Sequence, residues 1–389
     1  MEPIIVSLLD NDLYKFSMQQ IVHRLFPRTP VVYEFRCRSK GVDLRPLCQE
    51  IRKQLVHLCS LRFEPHDLGY LCSVGRNVRP HEPLFTPDYI ERLRNFRLPY
   101  SSVLVHEEAD QLAIQIQGTW FDTILFEVPL LAIVNELHFK ASANSLGEKR
   151  LSEKIMLLQN LPANSSFQFS DFGTRRRYSR VWHDHVVDCL SALAREQFVG
   201  TSNLRLAERF GLKPIGTMAH EYLQAYQALV PLHQFQRAAL EDWLLHYGGR
   251  LGIALTDVVG IDAFLRNFDL MLAKCYDGVR HDSGDPFVWT DKVLAHYQML
   301  GINAQEKTLV YSDGLDIPSA LKIHEYVAGR AKTHFGVGTN LTNDVGWNPL
   351  SIVIKMTHCD GQPVAKLSDE PAKMMCDNEA YVNYLRSIF

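Results

Sequence analysis

At 389 residues the chain exceeds what a single hydrophobic core usually supports, so one large domain and a smaller companion are expected. Its hydrophobic fraction of 46% and charged fraction of 22% are those of a globular protein with a packed interior. A formal net charge of −3 excludes any global attraction to nucleic acid or anionic membrane.

The opening MEPIIVSLLDNDLYK has no basic start and soon meets Asp10 and Asp12, which does not read as a secretory signal. Residues 12–25 carry Leu13, Phe16, Ile21 and Leu25, an approximate helical stripe. Val31–Arg38 reads as a strand, and Leu44–Leu58 as a helix with Leu44, Leu47, Ile51, Leu55 and Leu58 on one face. Two alternating runs between Val103 and Gln117 flank Glu107–Asp110 and predict a β-hairpin. Ile124–Phe139 is the most apolar stretch, but Glu127, Pro129, Asn135 and Glu136 interrupt it, and it is too short to span a bilayer. It reads as a buried helix. Eight scattered cysteines (Cys37, Cys48, Cys59, Cys72, Cys189, Cys275, Cys359 and Cys376) include no CxxC pair. They point to reduced thiols and a cytoplasmic protein, and argue against a zinc site or a disulfide framework.

From Phe167 the rhythm changes to short apolar runs alternating with helix-length segments. Candidate strands are Phe167–Asp171, Phe198–Gly200, Pro214–Thr217, Leu251–Leu255, Gly278–Arg280, Thr308–Tyr311 and Thr333–Phe335. This β-α-β-α pattern predicts a parallel sheet, and seven units predict a barrel-like closure. The expected division is an N-terminal α+β module over 1–125, a β/α barrel-like domain over 126–350, and a segment 351–389 that can join the first module. Nearly every strand runs into polar or glycine-rich residues: FGTRRR, GTSN, GTMAHE, TD, RHDSGDP, SDG and GVGTN. In β/α barrels the catalytic groups sit on such post-strand loops.

Several of these loops carry chemistry. Phe172 can stack on a flat ring, and Arg175, Arg176 and Arg177 offer planar forks for a carboxylate or phosphate. Three arginines in isolation read more readily as a solvated basic turn. His220 follows a strand and can act as base, ligand or nucleophile. No His or Cys stands at metal-ligand spacing from it, so no residue is assigned as a metal ligand. His183 and His185, two apart on a helix, diverge and read as structural. Arg280 and Asp282 lie in RHDSGDP, which can hold ribose hydroxyls or a metal-bound diphosphate, or can be a turn with Asp285-Pro286 opening a helix. Asp313 with Gly314, and Gly338 with Thr339, follow the last two strands, the common phosphate position of such folds.

Taken together, DLYKFSM (12–18), FSDFGTRRR (169–177), GTSN (200–203), GTMAHEY (216–222), ALTDVVGIDAFL (254–265), YDGVRHDSGDP (276–286), SDGLD (312–316) and FGVGTNLTND (335–344) resemble the nicotinate phosphoribosyltransferase family over essentially the whole length. The family more often has Thr where Asn11 stands. The resemblance implies an α/β fold, an irregular β/α barrel of the type II phosphoribosyltransferase kind with an N-terminal α+β module. It also implies a cytoplasmic homodimer with shared active sites, acting on nicotinate, phosphoribosyl diphosphate and ATP with Mg²⁺. By this match Phe172 stacks on the pyridine ring and Tyr14 of the partner subunit covers the other face. Arg175 binds the nicotinate carboxylate, with Thr256 near that end of the pocket. Arg280 and Asp282 hold the phosphoribosyl group, Gly314, Gly338 and Thr339 cradle its 5′-phosphate, Asp313 is a further substrate-binding residue, and His220 is phosphorylated from ATP. Nicotinamide-using relatives carry an Asp at the place of Ser202, and a carboxylate there would repel the nicotinate anion. A generic sugar-phosphate isomerase would explain the glycine loops but not Phe172, Arg175 and Tyr14. A silent scaffold protein would not be expected to keep His220, Arg280 and Asp282.

Overall fold

The computed structural model describes residues 2–75, 82–109, 111–370, 374, 376 and 378–389. Among the described residues twelve strands follow in chain order: β1 (Pro30–Cys37), β2 (Val103–Glu108), β3 (Gln111–Thr119), β4 (Phe169–Asp171), β5 (Phe198–Thr201), β6 (Lys213–Pro214), β7 (Ile253–Leu255), β8 (Gly278–His281), β9 (Thr308–Tyr311), β10 (Lys332–Val337), β11 (Ile352–Cys359) and β12 (Gln362–Pro363). The chain divides into two compact units. The first comprises 1–165, 170–216 and 338–354; the second comprises 166–169, 217–337 and 355–389.

An antiparallel sheet of order β12-β11-β1-β3-β2 carries the N-terminal hairpin. Alternation along β1 turns Val31, Tyr33 and Phe35 inward, as a half-buried strand requires. The hairpin strands run further than their apolar residues suggest, because Glu107 pairs with Leu112 and Glu108 with Gln111. Of the expected turn, Asp110 lies outside the described residues. The helix Leu13–Leu25 is covered on more than the expected stripe, since Lys15, Ser17, Gln19 and Gln20 are buried with Phe16 and Ile21. The glutamines are satisfied there. Gln19 donates to the Phe121 carbonyl and accepts from the Tyr89 hydroxyl, and Gln20 donates to the Leu84 carbonyl. Glu127–Phe139 is the expected buried helix, with Pro129 in its first turn, where a missing N–H costs nothing.

The other sheet is parallel, with strand order β6-β5-β4-β10-β9-β8-β7. That order is cyclic in sequence, as in a β/α barrel, but β6 and β7 share no ladder among the described residues. The expected closure is therefore incomplete, and the barrel is irregular. Its two-residue β6 is too short to support a second ladder, and beyond it the Thr217 hydroxyl donates to the Ile253 carbonyl at 3.2 Å. Close strand approach selects glycine at 278, where a Cβ would fall 1.8 Å from the Thr308 carbonyl oxygen. Among the described residues no disulfide joins any of the eight cysteines. Among the described residues no helix is long and apolar enough to cross a membrane.

Candidate active site

In the first unit, the segment around Asp12 runs antiparallel to residues 202–205. Asp12 bridges Asn203, and the Leu13 N–H donates to the Ser202 carbonyl at 2.8 Å. Asp12 is buried, and its Oδ1 accepts from the Thr174 hydroxyl at 2.7 Å and the Ser202 hydroxyl at 2.9 Å. Burial raises its pKa, and those two donors oppose the rise. The Ser202 hydroxyl is thus committed to Asp12. Asn11, at the family's usual Thr position, donates to the Leu125 carbonyl and accepts from the Asp12 N–H. These bonds dock the segment carrying Tyr14 onto its own chain's FGTRRR loop.

The three adjacent arginines of that loop have three different fates. Arg177 is fully buried, bidentate to Asp10 at 2.7 and 2.9 Å and bonded to Glu136 at 2.7 Å. Burial disfavours the Asp10 carboxylate, but Arg177 and Arg205 outweigh it and hold Asp10 well below the usual carboxylate range. Arg176 donates to the Ile352 carbonyl. Arg175 keeps 37% of its side chain exposed and rests 3.2 Å from Glu127, whose other oxygen is 2.5 Å from the buried Lys15 ammonium. Of the three, Arg175 is the fork that can meet an incoming anion. Phe172 beside it is half-buried. A Cβ at Gly338 would lie 2.9 Å from the Phe172 carbonyl oxygen, so Gly338 and Thr339 pack against this loop only because residue 338 lacks a side chain. His183 and His185 diverge as expected. The first is buried 2.7 Å from Asp171, and the second lies half-exposed beside Glu148.

The second unit gathers the loops after β7, β8 and β9. His220 opens the helix His220–Leu229 and is 5% exposed. Its Nε2 lies 2.8 Å from Asp257 Oδ1 and 3.6 Å from Asp282 Oδ2. Because both neighbours of Nε2 are carboxylates, we assign the imidazole proton to that nitrogen, which leaves Nδ1 with its lone pair. Asp257 Oδ2 accepts from the Ser283 hydroxyl at 2.6 Å and from Lys366 Nζ at 2.6 Å. Burial and the Lys366 charge pull the His220 pKa down to about 4 against the opposing pull of Asp257, so the ring is neutral at pH 7. Burial opposes ionisation of Asp257, but His220 and Lys366 keep that carboxyl well below its usual value.

Asp282 is 28% exposed and accepts from the Ser312 hydroxyl at 2.8 Å. Arg280 is half-buried, and its carbonyl accepts from Thr256 at 3.0 Å. Thr256 is fully buried and also accepts from the Trp289 indole, so its hydroxyl joins strand to helix. Asp313 is half-buried, and Gly314 sits exposed at φ +59°, in the left-handed region that favours glycine. Asp285 caps the helix after RHDSGDP by accepting from the Phe287 and Val288 N–H groups.

The expectation that His220 lacks metal-ligand partners needs correction. Sequence spacing shows no second His or Cys, but folding brings donor atoms of His220, Asp257 and Asp282 within 4.8 Å of one another. A resident cation does not fit them, because the Lys366 ammonium already lies against Asp257 and 4.0 Å from Asp282. Sequence reasoning also missed Asp257 as the partner of His220, although TD after β7 was a signal. Nothing in the local sequence marked Lys366.

Residues 167–389 match the model of the nicotinate phosphoribosyltransferase family, and residues 9–135 match that of its N-terminal domain. A nicotinate phosphoribosyltransferase of Bordetella pertussis is 49% identical, over 99% of this chain and 95% of the relative. That of Cupriavidus necator is 48% identical, over 99% and 98%. The crystal structure of the Vibrio cholerae nicotinate phosphoribosyltransferase superposes with a TM-score of 0.93 at 42% identity, covering 100% of this chain and 94% of that one. With both family models matched in order and the relatives covered end to end, the chain belongs to the nicotinate phosphoribosyltransferase family.

Proposed function

We propose that the chain transfers the phosphoribosyl group of phosphoribosyl diphosphate to the ring nitrogen of nicotinate, with ATP hydrolysis driving the step through phosphorylated His220. The observation that carries this reading is the His220–Asp257 pair, a buried neutral imidazole with Nε2 held and Nδ1 available. In the first half-reaction the γ-phosphorus–oxygen bond of ATP breaks, a phosphorus–Nδ1 bond forms and ADP leaves. Later, water cleaves the phosphorus–nitrogen bond and releases phosphate. In the transfer itself the pyridine nitrogen attacks C1 of the sugar as the C1–O bond to diphosphate breaks. No proton is removed, so His220 is not needed as a base there. Mg²⁺ enters with ATP and phosphoribosyl diphosphate as part of those substrates, and neutralises charge on the leaving diphosphate.

Arg175 pairs with the nicotinate carboxylate, Phe172 and the partner subunit's Tyr14 sandwich the ring, and residue 202 is a neutral Ser rather than an Asp. The Thr256 hydroxyl donates to the Arg280 carbonyl and so steadies that loop. Arg280 and Asp282 hold the phosphoribosyl group, Asp313 is a further substrate contact, and Gly314, Gly338 and Thr339 cradle the 5′-phosphate. The product, nicotinate mononucleotide, serves NAD biosynthesis from salvaged nicotinate in the cytoplasm. We further propose a homodimer with shared active sites. The sequence resemblance supports it, and the docking of the Tyr14 segment on its own chain makes subunit mixing the decisive test. The function is tested by following product from nicotinate and from nicotinamide side by side, with and without ATP. Nicotinate should be used and ATP consumed with it. Preference for nicotinamide, or product formation indifferent to ATP, would contradict the proposal.

A further inference from the structure

The helix that begins at His220 is tied to Asp257 by a second, indirect route. Two turns on, the Gln227 amide grips one residue of the C-terminal segment from both sides. Its Nε2 donates to the Ala365 carbonyl at 2.8 Å, and its Oε1 accepts from the Ala365 N–H at 2.9 Å and from the Tyr381 hydroxyl at 3.0 Å. The next residue is Lys366. Beyond it the segment laces over the post-strand loops. The Leu367 N–H donates to the Val258 carbonyl at 2.8 Å, the Asp369 N–H donates to the Ser283 hydroxyl at 3.2 Å, and the Asp369 carboxylate accepts from the Ile261 N–H at 3.0 Å. Val364, Ala365 and Lys366 are buried.

A buried ammonium is costly unless paired, and here it is paired with Asp257 at 2.6 Å. With Oδ2 taken by Lys366 and Ser283, Asp257 has Oδ1 left for His220. The charged groups facing His220 are Asp257, Asp282 and Lys366. With all three ionised and the imidazole neutral, the group carries one negative charge. Without the ammonium two carboxylates would face the ring, and their field would draw a second proton onto it. An imidazolium has no lone pair to offer a phosphorus atom.

We propose that Lys366, delivered by the Gln227 clamp, is a positioning residue that keeps the His220 proton on Nε2 and Nδ1 free. The catalytic part rests on the reading of His220 as a nucleophile; the geometric part does not. The test is imidazole ¹⁵N NMR on the full-length protein, with His220 assigned through His220→Asn, together with steady-state kinetics. Wild type at pH 7 should show His220 as the Nε2–H tautomer. Lys366→Met should convert it to imidazolium or a tautomer mixture, and lower kcat of ATP-coupled turnover at least about tenfold, as follows once the imidazole pKa lies about one unit above the assay pH. The nicotinate KM should move less than about threefold, a split that general loosening of the fold would not give. Lys366→Arg should restore the tautomer and part of kcat, and Gln227→Leu should act as a milder Lys366→Met. If Lys366→Met does not fold, Asp257→Asn/Lys366→Met removes both charges and should fold yet lose the Nε2–H preference. An Nδ1–H tautomer in wild type, or unchanged His220 signals in the Lys366 variants, would overturn the proposal. Expected NMR changes without any phosphoryl label on His220 would leave the positioning role standing and remove the nucleophile reading.

Discussion

The two units each bury a network of charges, and the networks are finished differently. In the first, Asp10, Arg177 and Glu136 satisfy one another at 2.7–2.9 Å, with Asp10 and Arg177 wholly out of solvent. In the second, Asp257, His220 and Lys366 are equally buried, but Asp282 at their edge is 28% exposed and one imidazole nitrogen keeps its lone pair. The first network has no valence left for a ligand and can only hold the Asp12 segment against the arginine loop. The second retains an open coordination and an exposed rim, which is what chemistry requires. Burial of charge alone therefore does not mark an active site; an incompletely used donor set does.

Removing one partner from the closed network should give the largest effect. Arg177→Met takes the guanidinium from buried Glu136 and leaves Asp10 only Arg205 at 3.7 Å and the Asn203 amide at 2.8 Å, and should cost about 3–5 kcal/mol in denaturant unfolding. A change below about 1 kcal/mol would mean that the network is not the scaffold described here.

The open network should reveal itself through pH. The folded pKa of His220 lies near 4, below the ordinary imidazole value of 6.5. Between those values the unfolded chain binds the extra proton and the folded chain does not. The stabilisation is therefore full above pH 6.5 and is lost as pH falls toward 4, to a total on the order of 3 kcal/mol. The difference in unfolding free energy between wild type and His220→Asn should follow that slope through the window. A flat difference would mean that His220 titrates normally.

How much of this was legible beforehand differs between the two networks for a physical reason. Short apolar runs followed by polar turns revealed the strand ends, because a parallel strand buried on both faces must be continuously apolar and its loop must not be. Phe172, His220, Arg280 and Asp282 were therefore visible as post-strand residues. By residue type Arg175, Arg176 and Arg177 were indistinguishable, and only the family resemblance singled out Arg175, since the packing of Asp10 and Glu136 decides which guanidinium is buried. Asp257 and Lys366 meet across 109 positions, and no local pattern encodes such a pairing. The missing β6–β7 ladder was equally invisible, because an apolar-run pattern does not tell a two-residue strand from a longer one.

Arg175→Ala should have a smaller, more selective effect. Losing a charge-assisted pair costs about 1.5–3 kcal/mol, which should appear in the nicotinate KM and far less in that of phosphoribosyl diphosphate. Equal damage to both would reassign Arg175 to phosphate binding. Smallest in signal is subunit mixing. Inactive Tyr14→Ala and Asp282→Ala chains, combined, should recover part of the wild-type activity if active sites are shared. Heterodimers that demonstrably form yet stay inactive would mean that each chain builds its site alone.

The central claim is that the His220–Asp257 pair serves as a phosphoryl acceptor. It is tested most directly by incubating the protein with γ-³²P-labelled ATP and locating the label. The account predicts an acid-labile, base-stable phosphoryl group on His220, absent from His220→Ala, together with loss of ATP-coupled turnover in that variant and survival of a slow ATP-independent synthesis. ATP hydrolysis by the wild type without any label on His220, or full ATP coupling in His220→Ala, would contradict it.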